Sequence, residues 1–249
     1  MKNKTVKNGI AVLFALLLWQ IVAMSVGSEM LLASPVQVVA RLMTLVRERD
    51  FLTTAAYSFL RITAGFLAAF AVGIVLAIGA ARLPVVETLL RPFLVTIKTV
   101  PVASFIILCL IWLSYSQLTV FISFLIVLPV IYSNVLQGIK STPTELKEVA
   151  ELYRVPWGRR LLYLYMPSIC PYLLSACSIS VGMAWKAGVA AEVIGVVDGS
   201  IGEKLYDAKI YFQNPDLLAW TVVLIVISVA SEKLFLLLLK VLFGRLKKI

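Results

Sequence analysis

Two charged residues near the end of a long apolar run, Lys186 and Glu192, and a polar island from Gly138 to Arg160 are the parts of this chain with chemistry to offer. A cation inside an apolar run costs about 2.5–3.5 kcal/mol near a bilayer centre, so it needs a partner, water or a route to the interface. Counted from Pro167 at about 1.5 Å per residue, Lys186 lies roughly 28 Å along a helix, close to its outer end. Two readings stand: the ammonium reaches the interface or pairs with Glu192, or it faces a polar pathway and favours an anionic solute. Covalent chemistry finds no constellation. The chain has no His, which removes the commonest general base and metal ligand. Cys109, Cys170 and Cys177 all fall in apolar runs and read as small buried apolar side chains, not as a disulfide or a metal site. Gly138-Ile139-Lys140-Ser141-Thr142 has a superficial likeness to the end of a phosphate-binding loop. Its Lys does not follow Gly directly, however, and no earlier Gly stands at the required spacing. No catalytic residue, metal ligand or cofactor is therefore assigned to this chain.

The polar island carries a compact helix signal. Thr142 can cap a helix, Pro143 suits its first position and Glu145 follows the cap by three, the pattern of a capping box with proline at N1. Leu146, Val149, Ala150 and Tyr153 then fall at i, i+3, i+4 and i+7, while Glu145, Lys147, Glu148, Glu151 and Arg154 take other positions. The helix is expected to stop near Val155, before Pro156. Such an amphipathic helix suits a cleft on a soluble partner; its plainer reading is a solvated loop helix without one.

These residues have to be positioned by a membrane scaffold. The chain of 249 residues is 61% hydrophobic and 14% charged, with mean hydropathy +0.98, above the apolar share of a soluble domain. Windows of about 20 apolar residues mark crossing helices. Six are expected, near 9–26, 55–81, 100–113, 118–137, 167–191 and 217–243, the third being short, with a cytosolic loop over 138–166. The runs are continuous, not alternating, which argues against a barrel. The fold expected is all-α, one transmembrane domain over 1–249. Before the second span, Ser34 and Pro35 open an amphipathic helix with Val39, Leu42, Met43 and Val46 on one face, lying along the outer surface.

The basic excess, a net charge of +10, fits topology and not nucleic acid. With both termini in the cytosol, the inside segments hold fifteen Lys and Arg, among them Lys2, Lys4, Lys7, Arg82, Arg91, Lys98, Lys140, Arg245, Lys247 and Lys248. The outside segments hold five: Arg41, Arg47, Arg49, Lys204 and Lys209. The positive-inside rule supports that orientation and places the 138–166 loop in the cytosol. The fifth span is the candidate pathway helix. Ser175, Ser178, Ser180, Gly182, Ala184, Ala187 and Gly188 are small enough for neighbouring helices to approach, although small-residue packing alone explains the glycines and alanines equally well. The tentative pathway set is Ser178, Gly182, Trp185, Lys186 and Glu192.

With these residues laid out, the chain resembles the membrane-spanning subunit of a bacterial ABC importer of the binding-protein-dependent kind, a type I permease fold. The family's cytosolic hallmark reads Glu-Ala-Ala, three residues, Gly, nine residues, Ile, one residue, Leu-Pro. It is similar here to Glu148-Val149-Ala150, then Arg154 in the glycine place, then Leu164 and Met166-Pro167. Arg for Gly is the main departure, since the glycine turns the chain at positive φ between two short helices and a side chain there costs about 1 kcal/mol or more. Gly158 is a candidate to share that turn. Further segments resemble the nitrate, sulfonate and taurine branch and its relatives for vitamin precursors: Ser34-Pro35, Ser58-Phe59-Leu60-Arg61, Val100-Pro101, Trp185, Ala191-Glu192, Ile201-Gly202 and Leu205.

The resemblance implies a subunit that pairs with a second copy around a pathway, binds two ABC ATPase subunits and meets an extracytoplasmic substrate-binding protein. ATP and Mg are then expected on the ATPase, with none on this chain. It implies a coupling segment comprising Glu145, Glu148, Val149, Ala150, Glu151, Arg154, Pro156, Trp157 and Gly158. The implied location is the bacterial cytoplasmic (inner) membrane, multi-pass, and the implied solute is small and polar, of sulfonate, nitrate or vitamin-precursor type. The rival from another class is an ion-coupled secondary transporter, which would normally show inverted repeats or broken helices with buried acids; no internal repeat is visible.

Overall fold

The computed structural model describes the backbone of residues 2–246 and the side chains of residues 10–243. The basic side chains of Lys2, Lys4, Lys7, Arg245, Lys247 and Lys248, which entered the charge argument, lie outside the described residues. In order, the helices are α1 (Lys2–Val26), α2 (Pro35–Leu45), α3 (Phe51–Arg82), α4 (Pro84–Thr99), α5 (Val102–Cys109) and α6 (Tyr115–Lys140), followed by α7 (Thr144–Leu152), α8 (Trp157–Arg160), a π turn (Leu161–Tyr165), α9 (Met166–Gly195), α10 (Ile201–Ile210) and α11 (Asn214–Leu246). No strand occurs among the described residues.

Among the described residues, four helices are long and apolar enough to cross a membrane: Phe51–Arg82, Tyr115–Lys140, Trp157–Gly195 and Asn214–Phe243. A fifth crossing arises if α4 and α5 are taken together, across a bend of 102°. The expected third span over 100–113 is thus a broken element and not a single helix. Pro101 biases Val100 towards extended backbone, found at φ −74, ψ 134, so α4 cannot run on into α5. The apolar part of α1, Ile10–Val26, falls in the shorter class.

The centre of the molecule is α6, packed between α3 and α9. Ile62 and Phe66 of α3, Val127, Ile131 and Val135 of α6, and Ala176, Cys177, Ala184 and Trp185 of α9 form one buried cluster. The approach is close enough to exclude a side chain at Gly188, where a Cβ would lie 2.6 Å from Ile62 Cγ1 and 2.7 Å from Ser123 Oγ. Cys109 and Cys177 are buried and Cys170 half-buried, and among the described residues none of the three forms a disulfide.

The amphipathic helix after the first run starts where its sequence says. Ser34 and Gln37 form a reciprocal capping box with Pro35 behind it. Of the apolar face named from the sequence, Leu42 packs inward and Val39, Met43 and Val46 are exposed, while Val38 and Leu45 are buried. Leu42 and Leu45 pack with Ile201, Ala219, Trp220 and Val223. Arg41 turns inward with them, donating from Nε to Asp216 of α11 at 2.5 Å and from Nη1 to Glu48 at 2.7 Å.

Candidate functional site

The polar island folds into two short helices at the base of α9. Its first helix is α7, but the cap differs from expectation. Pro143 occupies the N-cap and no side chain bonds the first turn; Thr142 is buried, with its hydroxyl unpartnered among the described residues. Glu145 sits in the first turn of α7, where its charge opposes the helix dipole favourably.

The end of α7 is set by one residue. The amide of Val155 donates to Ala150 O at 2.9 Å and the amide of Arg154 to Glu151 O at 2.9 Å, and Arg154 has φ +47. That is a Schellman closure with a left-handed C′ residue. Arg154 thus adopts the conformation expected of the glycine it replaces, and Gly158, inside α8, takes no part in that turn. The strain of about 1–2 kcal/mol is held in place from the other side. Arg160 donates from Nε to Val155 O at 2.8 Å and from Nη2 to Ala150 O at 2.9 Å, bonding the end of α7 back to α8.

The α8 segment is in turn fixed to the scaffold. The Arg82 guanidinium at the end of α3 lies 4.2 Å from the Trp157 ring centroid, and Trp157 meets Tyr165 at 5.8 Å between centroids. Behind Trp157, an apolar cavity of about 320 Å³ opens among α3, α6, α9 and α11, bordered by Leu161 and Tyr165 of the π turn. Pro156, Gly158, Glu148 and Glu151 are exposed. The apolar face of α7 points outward: Ala150 alone is buried, while Leu146 (52%), Val149 (51%) and Tyr153 (75%) stand exposed beside Leu152 (78%). An apolar row held this rigidly and left uncovered is what a partner surface requires.

The residues grouped as a pathway lie along one stripe of α9 but in different surroundings. Ser178 donates to Glu232 Oε1 of α11 at 2.5 Å. Trp185 is buried beside Phe59 of α3. Gly182 has open space where its Cβ would be, and Lys186, one turn on, is exposed. Lys186 and Glu192 form no ion pair among the described residues. At i+6 the two side chains leave the helix in different directions.

Glu192 is instead the acceptor of a buried polar node. Ser58 of α3 donates to its Oε2 at 2.8 Å, and the amide of Gly202 reaches the same oxygen at 3.2 Å. The Ser58 hydroxyl oxygen accepts the amide of Ile201 at 2.9 Å. The first amides of α10 are thereby capped by side chains from two other helices. Gly202 permits the contact, since a Cβ there would lie 2.6 Å from both Glu192 C and Val193 N. Glu192 Oε1 and the Thr119 hydroxyl remain unpartnered among the described residues.

Several parts of this arrangement escaped the sequence reading. Helix α10 was not expected, although Ser200 with Glu203 three residues later is a helix-start signal: Ser200 Oγ accepts from Glu203 N at 3.0 Å and Glu203 Oε2 accepts from Gly199 N at 2.7 Å. The Ser58–Glu192 pairing spans 134 residues and had no local signal.

Against known proteins, residues 69–248 match the family described as binding-protein-dependent transport system inner membrane component. The chain is similar, at 26% identity over 218 residues (86% of this chain, 78% of the relative), to a Bacillus subtilis (strain 168) permease provisionally assigned to aliphatic sulfonates transport. It is 27% identical over 216 residues (82% and 77%) to the nitrate import permease protein of Synechocystis sp.. It is 29% identical over 190 residues (75% of each) to the formylaminopyrimidine transport permease protein of Halalkalibacterium halodurans.

Proposed function

Because the chain belongs to the family of binding-protein-dependent transport system inner membrane components, and is thus a transport permease subunit and not an enzyme, we propose that it forms half of the translocation pathway of an ATP-driven importer. Two copies line the pathway, two ABC ATPase subunits carrying ATP and Mg bind from the cytosol, and an extracytoplasmic binding protein delivers the solute. Both termini lie in the cytosol, which puts the 138–166 loop on the ATPase side. The solute is small and polar, of the sulfonate, nitrate or pyrimidine-precursor kind that the relatives' names describe.

The observation that carries this reading is the uncovered row Leu146, Val149 and Tyr153 on α7. An isolated polar loop has no reason to expose such a row while bonding its own end rigidly to the spans through Arg160 and Trp157. Closure of the ATPases on ATP would draw the two α7 helices together, and the connection through α8 and the π turn would pass that movement to α9. Glu145, Glu148 and Glu151 flank the row and supply the polar rim of the interface.

The test is to purify the tagged chain from native membranes in mild detergent and weigh the intact complex, with a Val149→Asp variant beside wild type. Two copies of this chain with two ATPase subunits, lost in the variant while the chain remains folded, is the expected result. Recovery of the chain alone in both samples, without ATPase activity, would overturn the proposal.

A further inference from the structure

A second recess lies away from the coupling loop, between α4 and α6, with a volume of about 240 Å³. On α4, Glu87, Arg91 and Lys98 fall at i, i+4 and i+11, one stripe of the helix. On α6, Tyr132, Ser133 and Lys140 face them across the gap. The charges are unequal. Lys140 is spoken for, its ammonium donating to both Glu87 carboxylate oxygens at 2.6 and 2.8 Å. Lys98 donates only to the Ser133 hydroxyl, at 3.0 Å. Neither Lys98 nor Arg91 has a carboxylate partner among the described residues.

Tyr132 supplies the independent sign of a ligand. It is 5% exposed, lines the recess, and its hydroxyl has no hydrogen-bond partner among the described residues. A buried hydroxyl left without a partner is unfavourable and rare in folded proteins. Two cations lacking a counter-charge beside it make the recess rich in donors and poor in free acceptors, because the carboxylate present is already bonded. Such a lining attracts an anion and rejects a cation. The volume admits a small anion together with its water.

We propose that this recess is an anion-binding station for the transported solute, with the Lys98 ammonium and Arg91 guanidinium as charge partners and the Tyr132 hydroxyl as directional donor. The assignment rests on the importer reading, and it narrows the solute to a small oxyanion such as a sulfonate, carboxylate or nitrate. Lys186, exposed on α9, is then not the residue that selects charge.

The wild-type complex in phosphatidylcholine nanodiscs tests this without depending on a variant that folds. Pyridoxal 5′-phosphate followed by borohydride labels lysines that sit in anion sites, and mass spectrometry of the peptides reads each lysine separately. The expected result is labelling of Lys98 slowed at least fivefold by methanesulfonate, with Lys209 unaffected, and that protection reduced in Tyr132→Phe and Arg91→Gln. Equal protection of Lys98 and Lys209, or protection of neither, overturns the proposal. Protection that appears only when phosphatidylglycerol is added assigns the recess to a lipid headgroup and also overturns it. Lys98 protected in a preparation that lacks any ATPase partner would remove the importer reading and leave the site standing.

Discussion

The Ser58 hydroxyl donates to Glu192 Oε2 at 2.8 Å and at the same time accepts the amide of Ile201 at 2.9 Å, so one serine joins α3, α9 and the start of α10. All three groups are buried, and each hydrogen bond is made where water offers no substitute. Removing a partner therefore leaves a desolvated group behind, which costs more than the bond itself contributes.

Glu192→Ala is expected to strand both the Ser58 hydroxyl and the Gly202 amide, at about 2–4 kcal/mol in all. The thermal midpoint of the purified protein should fall by roughly 5–15 °C. Glu192→Gln keeps an acceptor for both donors, and its midpoint should fall by less than half as much. Equal losses in the two variants would show that the charge, and not acceptor capacity, is what the node uses.

Arg154→Gly should stabilise the loop, because glycine adopts φ +47 without the steric cost an L side chain bears. The gain expected is about 1 kcal/mol, read as slower hydrogen exchange in α7. Arg154→Val should do the opposite and open α7. An unchanged or faster exchange in the glycine variant would mean that the guanidinium itself stabilises the turn.

Arg160→Met keeps an unbranched apolar stem and removes the donors to Ala150 O and Val155 O. Each net bond is worth about 0.5–1.5 kcal/mol. The expected phenotype is local: α7 exchanges faster while the spans keep their midpoint, and ATP hydrolysis by the assembled complex continues with less solute moved per ATP. A matching fall in both rates would contradict a coupling role.

Two glycine substitutions should part in sign. At Gly202 a Cβ would sit 2.6 Å from Glu192 C and Val193 N, with backbone on the far side that cannot give way, so Gly202→Ala should cost about 1–3 kcal/mol. At Gly79 in α3 nothing lies within 4 Å, and Gly79→Ala should gain about 0.5–1 kcal/mol from helix propensity. Urea midpoints of the two variants against wild type decide the comparison.

What was legible in the chain divides along physical lines. Long apolar windows and local caps are short-range signals, and they located α2 through Ser34 and Gln37, the long helices α3, α6, α9 and α11, and the existence of α7. Which face of a helix turns inward depends on neighbours distant in sequence. Arg41 entered the sequence reading only as an outside charge, yet Asp216, 175 residues on, gives it a reason to turn in. The Thr142 cap failed because that residue is buried and Pro143 itself opens the helix. Lys186 and Glu192 looked like partners because they are near in sequence, whereas helical geometry sends them apart and Ser58 takes the carboxylate. The positive φ at Arg154 was readable only through the glycine of the related loop, since nothing in an arginine announces a left-handed turn. The α4–α6 recess had no signal at all, being made by stretches from Glu87 to Lys98 and from Tyr132 to Lys140, far apart in the chain.

The clasp at the head of α10 also has a mechanical meaning. With its first amides bonded to Ser58 of α3 and Glu192 of α9, and its glycine seated against Glu192, α10 is tied at its beginning to both helices. A movement passed to the foot of α9 from the α7–α8 segment is therefore expected to carry α10 with it. Past the far end of α10 the chain turns left-handed at Phe212, with φ +53, just before α11 takes it up.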